Sequence, residues 1–160
     1  SLCEALPRCA TLSQLDLSGN QFGAEGTRAL SATLPHCTAL SHLNLSFNIG
    51  QIGSDGARAL SEALPLCTAL SQLDLGNELS SEGARALSKA LPHCATLSQL
   101  NLAANKLLTA GARALSEALP RCAFLSFLFL YGNELGVEGA RALSKALPHC
   151  TALSIRTNSA

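Results

Sequence analysis

Residues 12–37 read LSQLDLSGNQFGAEGTRALSATLPHC, and this stretch decides the fold, because near-copies of it fill the rest of the chain. Leu15 and Leu17 fall on one side of an alternating segment, with Gln14, Asp16 and Ser18 on the other. That period of two belongs to a strand. Gly19 and Asn20 interrupt it, and from about Ala24 the spacing changes to Ala29, Leu30, Thr33 and Leu34, which predicts one apolar stripe of a helix. Pro35 is expected to end that helix, since proline donates no backbone hydrogen bond and disfavours helical geometry in the residue before it. Each unit is therefore strand, turn, helix, turn.

The leading leucine recurs at Leu12, Leu40, Leu70, Leu97, Leu125 and Leu153, in steps of 28, 30, 27, 28 and 28 residues. A fixed period of this length marks a solenoid. An asparagine recurs at Asn20, Asn48, Asn77, Asn105 and Asn133, a glycine at Gly26, Gly56, Gly83, Gly111 and Gly139, and a cysteine at Cys9, Cys37, Cys67, Cys94, Cys122 and Cys150. The register gives a partial repeat over 1–11, full repeats over 12–39, 40–69, 70–96, 97–124 and 125–152, and a partial repeat over 153–160, all in one domain.

The pattern LxxLxLxxN, followed by a glycine and a helical LxxxL, resembles the leucine-rich-repeat family. The period near 28 and the cysteine before each strand are similar to its ribonuclease-inhibitor-like class. The resemblance covers residues 1–154. It implies an α/β fold, a right-handed solenoid (horseshoe) with a parallel sheet on the concave face and helices on the convex face. Spacing leads to the same curvature. Neighbouring strands sit about 4.8 Å apart and packed helices about 8–10 Å apart, so stacked units bend toward the strands.

Eleven basic and eleven acidic side chains leave no charge excess to draw nucleic acid or an anionic membrane. No apolar run approaches the ~20 residues of a membrane helix, and the first residues do not read as a signal peptide. Leu2, Glu4, Leu6, Pro7 and Cys9 align with Leu30, Ala32, Leu34, Pro35 and Cys37, so the chain opens inside a helix. Counted from Leu153, Arg156 takes the place of the second leucine. Neither end reads as a capping unit, so a fragment of a longer array is expected, with weak end-to-end self-association through the bare ends.

Seven cysteines invite a disulfide or metal reading. Six of them occupy one repeat position beside leucine, where a small buried hydrophobe is wanted, and none forms the close CxxC pairs of zinc sites. Reduced, buried thiols are expected, with Cys3 the off-register candidate for reactivity, and these point to a cytoplasmic setting. The Asn44-Leu45-Ser46 sequon lies within a predicted strand and argues little for secretion. His36, His93 and His149 precede repeat cysteines, but Arg8, Leu66 and Arg121 hold the same position elsewhere, which marks a tolerant exposed turn. The resemblance implies that the repeat asparagines stack inside the turns and bond to neighbouring backbone, meeting the need to satisfy peptide groups where the chain leaves the sheet. Arg28, Arg58, Arg85, Arg113 and Arg141 form a row. Glu25, Asp55, Glu82 and Glu138 lie three residues before four of them, and Glu117 four residues after Arg113, so the row reads as a solvated convex surface.

The informative variation is at the outward strand positions. Four repeats carry small polar side chains there: Gln14, Asp16, Ser18; His42, Asn44, Ser46; Gln72, Asp74; and Gln99, Asn101, Ala103. The fifth carries Phe127, Phe129 and Tyr131, with Leu128 and Leu130 between them pointing inward. Folding does not call for three rings on a solvated face. Either a partner protein covers them or a further segment of chain does. Gln72, Asp74, Gln99 and Asn101 complete the expected partner-binding surface. A two-residue insertion around Ile49–Ile52 and a one-residue deletion between Leu75 and Asn77 fall on the rim, where loops tolerate length change.

No nucleophile beside a base, convergent carboxylates or phosphate loop escapes the repeat pattern, so no enzyme activity and no cofactor or metal is expected. The expected function is a protein-interaction module that binds a protein partner on its concave sheet, with neither nucleic acid nor membrane as partner. By resemblance, the class supplies sensing domains of immune receptors and the inhibitor of ribonuclease. It also contains the Ran-activating protein, so a GTPase activator is the alternative, although no arginine is expected on the inner face to act as a finger. Near-identity of the repeats further admits a consensus-like scaffold with no evolved target.

Overall fold

The computed structural model describes residues 2–48, 52–76 and 79–157. Strands β1 (Gln14–Asp16), β2 (His42–Asn44), β3 (Gln72–Asp74), β4 (Gln99–Asn101), β5 (Phe127–Phe129) and β6 (Ser154–Arg156) form one parallel sheet in chain order. Helix α1 (Leu2–Ala5) precedes β1. Helices α2 (Gly23–Ser31), α3 (Gly53–Ala63), α4 (Ser81–Ala90), α5 (Leu108–Ala118) and α6 (Gly136–Ala146) each cross from one strand to the next. Parallel strands joined through a helix take right-handed crossovers, and repeating one crossover in one direction gives an open solenoid.

The core is a stack of leucines between sheet and helices. Leu43, Leu73, Leu100 and Leu128 project inward from successive strands, and Leu45, Leu75, Leu102 and Leu130 follow them, all at most 2% exposed. Leu60, Leu87 and Leu115 close the layer from the helix side. Burying each leucine contributes about 1.5–3 kcal/mol. The stack thins toward the first repeat, where Leu12, Leu15 and Leu17 are only half buried.

The helical stripe differs from the sequence expectation. In α2 the buried positions are Thr27, Leu30 and Ser31, continued by Leu34, whereas Ala29 is exposed. Polar side chains can occupy this face because they bond within their own helix. Thr27 Oγ1 donates to the Gly23 carbonyl at 2.8 Å and Ser31 Oγ to the Thr27 carbonyl at 2.7 Å, and Ser61 and Ser88 do the same one and two helices on. With its hydrogen bond made internally, a buried hydroxyl costs little. Gly111 explains the repeated glycine. A Cβ there would stand 2.9 Å from Leu107 Cβ and 3.1 Å from Ala84 Cβ, so the position is kept bare where neighbouring helices meet.

The α-helix stops ahead of the proline, as expected, but helical geometry continues past it. In the third repeat α3 runs directly into a 3-10 turn, Leu64–Leu66, with Pro65 in its first two positions. Similar turns, including Leu91–His93 and Leu119–Arg121, close the other repeats. The missing proline N–H forbids an α-type bond but suits the start of a tighter turn. The chain leaves helical geometry at the following cysteine, whose N–H bonds to the leucine carbonyl three residues back, as Cys67 does to Leu64 at 3.1 Å.

Candidate functional site

The sheet's open face carries three columns of side chains across the strands. The central column runs Asp16, Asn44, Asp74, Asn101, Phe129, and its first four members bond to one another and to their own turns. Asn44 Nδ2 donates to Asp16 Oδ2 at 3.2 Å, and Asn101 Nδ2 to Asp74 Oδ2 at 2.9 Å. Each also accepts, through Oδ1, the backbone N–H two residues on: Ser18 at 2.9 Å, Ser46 at 2.9 Å, Gly76 at 3.1 Å and Ala103 at 2.9 Å. These side chains fasten the exit from the strand while keeping charges of like sign apart. Hydrogen bonds from Ser18, then from Asn44, hold the Asp16 carboxyl below its ordinary range. Asn44 of the sequon is among the bonded side chains, in β2.

Beneath the rim a second ladder binds successive turns. Asn48 Nδ2 donates to the carbonyls of Leu17 and Leu45 at 3.1 and 2.7 Å, and its Oδ1 accepts the Phe22 N–H. Asn105 Nδ2 reaches Leu75, Leu102 and Ala103 carbonyls, and its Oδ1 accepts the Leu79 N–H. Asn133 Nδ2 donates to the carbonyls of Leu102 at 2.7 Å and Leu130 at 2.9 Å, but its buried Oδ1 has no partner among the described residues. Asn20 is exposed and bonds only within its own turn, to Leu17 and Ser18. Asn77 and the inserted residues 49–51 lie outside the described residues.

A groove of about 320 Å³ runs along the open face, and Gln72, Asp74, Gln99, Asn101 and Phe129 line it, together with Gln14, Asp16, His42 and Asn44. The structure thus gathers five of the seven expected site residues there. Phe127 and Tyr131 flank Phe129 along β5 at 39% and 48% exposure, while Leu128 and Leu130 between them are buried. Two further features escaped the sequence reading. Phe124, in the turn entering β5, is 58% exposed, which places four of the chain's six aromatic residues on or beside one rung. Phe47 is 73% exposed and holds a positive φ of 55°, where the first and fifth repeats place Gly19 and Gly132.

Arg156 also departs from the sequence expectation. It does not replace an inward leucine. β6 pairs Leu128 with Ile155 and Phe129 with Arg156, and the Leu130 N–H donates to the Arg156 carbonyl at 2.8 Å. The equivalent bond one repeat earlier runs from Leu102 to Phe129. The chain is one residue shorter between Leu153 and the inward position, so Ile155 packs, partly buried, against the core and Arg156 extends the central column, exposed on the inner face. An arginine is therefore present where none was expected.

The remaining candidates are structural or solvated. Each repeat cysteine points its thiol at the carbonyl four residues back, from 3.4 Å for Cys94 to 3.5 Å for Cys37. Burial is graded rather than uniform: Cys9 is exposed and Cys94 is buried. Burial pushes the Cys67 and Cys122 thiols up to about 11 and Cys94 to about 12, so they stay neutral and poorly nucleophilic. Cys3, off register, is half buried. His36, His93 and His149 are exposed, and among the described residues no group of His, Cys, Asp or Glu is placed to hold a metal ion. On the convex side Arg58, Arg85 and Arg141 pair with acids three residues earlier, but Arg113 meets Glu138 of the next helix at 4.0 Å rather than Glu117. Among the described residues no helix is long and apolar enough to cross a membrane.

Known proteins share this architecture. A family model described as Leucine Rich repeat matches residues 8–31 and 36–61. No curated protein matches the sequence. The leiomodin-1 Actin-Binding Site 2 structure superposes with a TM-score of 0.74 at 15% identity, over 91% of this chain and 87% of that one. The tropomodulin C-terminal domain from Caenorhabditis elegans gives 0.71 at 17% identity, over 92% and 89%. A Bacteroides fragilis protein gives 0.56 at 18%, over 92% of this chain and 40% of its own. Identities this low speak for the fold alone. The family model over two of the units, with the leucine and asparagine ladders that continue through the described residues, marks the chain as built of leucine-rich repeats.

Proposed function

We propose that this chain is a protein-interaction module of the ribonuclease-inhibitor-like class, working inside the cell, and that it grips a partner protein on its concave sheet. Phe127, Phe129 and Tyr131 form the anchor, and Gln72, Asp74, Gln99 and Asn101 form the polar flank. One observation carries the reading: a rung of partly exposed rings interrupts a face that is otherwise polar and internally bonded. Rings combine large contact area with low ordering cost, which suits them to the centre of an interface. The leiomodin-1 structure is named for an actin-binding site, so a fold of this shape does serve a protein partner elsewhere. Phe129→Asp tests the reading. Thermal unfolding should be nearly unchanged while capture of partner proteins from the source cell is lost, and retained capture would refute it.

Arg156 on the inner face lends some support to the alternative, a GTPase activator, since a projecting guanidinium can stabilise transferring phosphate. Accelerated GTP hydrolysis by a small GTPase, abolished by Arg156→Ala, would establish it. Separately, a groove of about 430 Å³ over β6 and α6, lined by Leu130, Leu135, Leu143, Leu147 and Ile155, is the surface for weak end-to-end association of copies. A clean monomer in sedimentation at high concentration would count against that.

A further inference from the structure

The aromatic rung is narrow and flanked by unlike side chains. From Phe127 to Tyr131 the chain advances four residues, about 13 Å at strand rise, with Phe127 and Tyr131 39% and 48% exposed, and Phe124 is exposed in the bend just before it. On one side the central column continues into Arg156, which makes no ion pair with any described residue. On the other side lie Asn101 and then the carboxylate of Asp74.

β5 is paired on both sides, to β4 and to β6. A partner therefore cannot add a strand to it, and an extended peptide laid across the rings would press unsatisfied backbone groups onto an apolar surface. A helix satisfies its backbone internally and presents only side chains. At 1.5 Å per residue, about 9 residues or two and a half turns match the length of the rung, and a helix about 10 Å wide reaches one strand to either side.

We propose that the fifth rung seats an amphipathic helix of a partner protein, laid along β5, with its acidic flank toward Arg156 and an uncharged polar flank toward Asn101. The inference rests on the concave-face reading above and specifies the shape and charge of what binds there. The apolar stripe of the helix, at i, i+3 or i+4, and i+7, meets the rings, and the acidic flank facing Arg156 fixes its direction.

The test is selection from a displayed library of random 16-residue peptides. Binders are selected on the wild-type chain and depleted on a variant in which Phe124, Phe127, Phe129 and Tyr131 are all alanine. The proposal expects enriched peptides with apolar residues at helical spacing and acids on one flank, and at least a tenfold loss of affinity when proline is placed at their centre. Arg156→Glu, an exposed site that leaves the rung intact, should invert the preferred charge on the facing flank by about tenfold in affinity. Enrichment of alternating apolar residues, equal binding to the alanine variant, or no enrichment at all would overturn it. If those outcomes occur while Phe129→Asp still abolishes partner capture, the concave-face reading stands and only the helix is wrong.

Discussion

The first four rungs and the fifth share a backbone and almost nothing else. In β1 to β4 the outward central residue bonds to its neighbour or to its own turn, so Asp16, Asn44, Asp74 and Asn101 serve the fold before they serve anything outside it. In β5 the equivalent residue is Phe129, which can do neither. Side chains that satisfy one another offer a partner little that water does not already provide. Rings half in water gain by being covered. Polar positions can therefore line a site without carrying its energy, and the energetic centre of this face lies off-centre, toward β5 and β6.

The sharpest way to break that contrast is to disturb what both regions stand on. Asn105→Ala removes three donated bonds and orphans the Leu79 N–H, and should cost about 3 kcal/mol in urea unfolding. Asn20→Ala, at an exposed turn, should cost well under half of that. Next, Asn101→Ala should cost about 1 kcal/mol because it frees the Ala103 N–H and the Asp74 carboxylate. Phe129→Asn should leave stability within about 0.5 kcal/mol while eliminating partner capture. Equal destabilisation by the two changes would erase the distinction between the regions.

Phe47 sharpens the comparison from the other side, being an exposed ring in the polar half held in left-handed geometry. Phe47→Gly should raise stability by about 1 kcal/mol and leave capture intact if binding energy is confined to β5. The smallest effect concerns acid. The folded Asp16 carboxyl is held below its ordinary value of 3.8. Its contribution is therefore complete above the unfolded value and disappears as pH falls through the folded one. Asp16→Asn should flatten the wild-type decline in melting temperature below about pH 4, with little change at neutral pH.

Most of this fold is legible in one unit of sequence, because Leu15 and Leu17 announce a strand face and five further leading leucines fix the register. The helix face is not, since hydropathy favours Ala29 over Thr27 and Ser31, whereas the structure buries the hydroxyls that bond to their own helix. Counting from Leu153 puts Arg156 at the inward position because it assumes an intact unit, whereas strand pairing gives that position to Ile155. Phe127, Phe129 and Tyr131 stood out by breaking a column. Phe124 did not, because it precedes the alternation, and its exposure is a property of the turn rather than of the pattern.

The six repeat thiols have a use that none of them has alone. Set at the same point of consecutive units, they run from open at Cys9 to enclosed at Cys94 and partway back at Cys150. Under brief alkylation at neutral pH, the order in which they are modified reports how far the coil frays from either end, repeat by repeat, with no probe added.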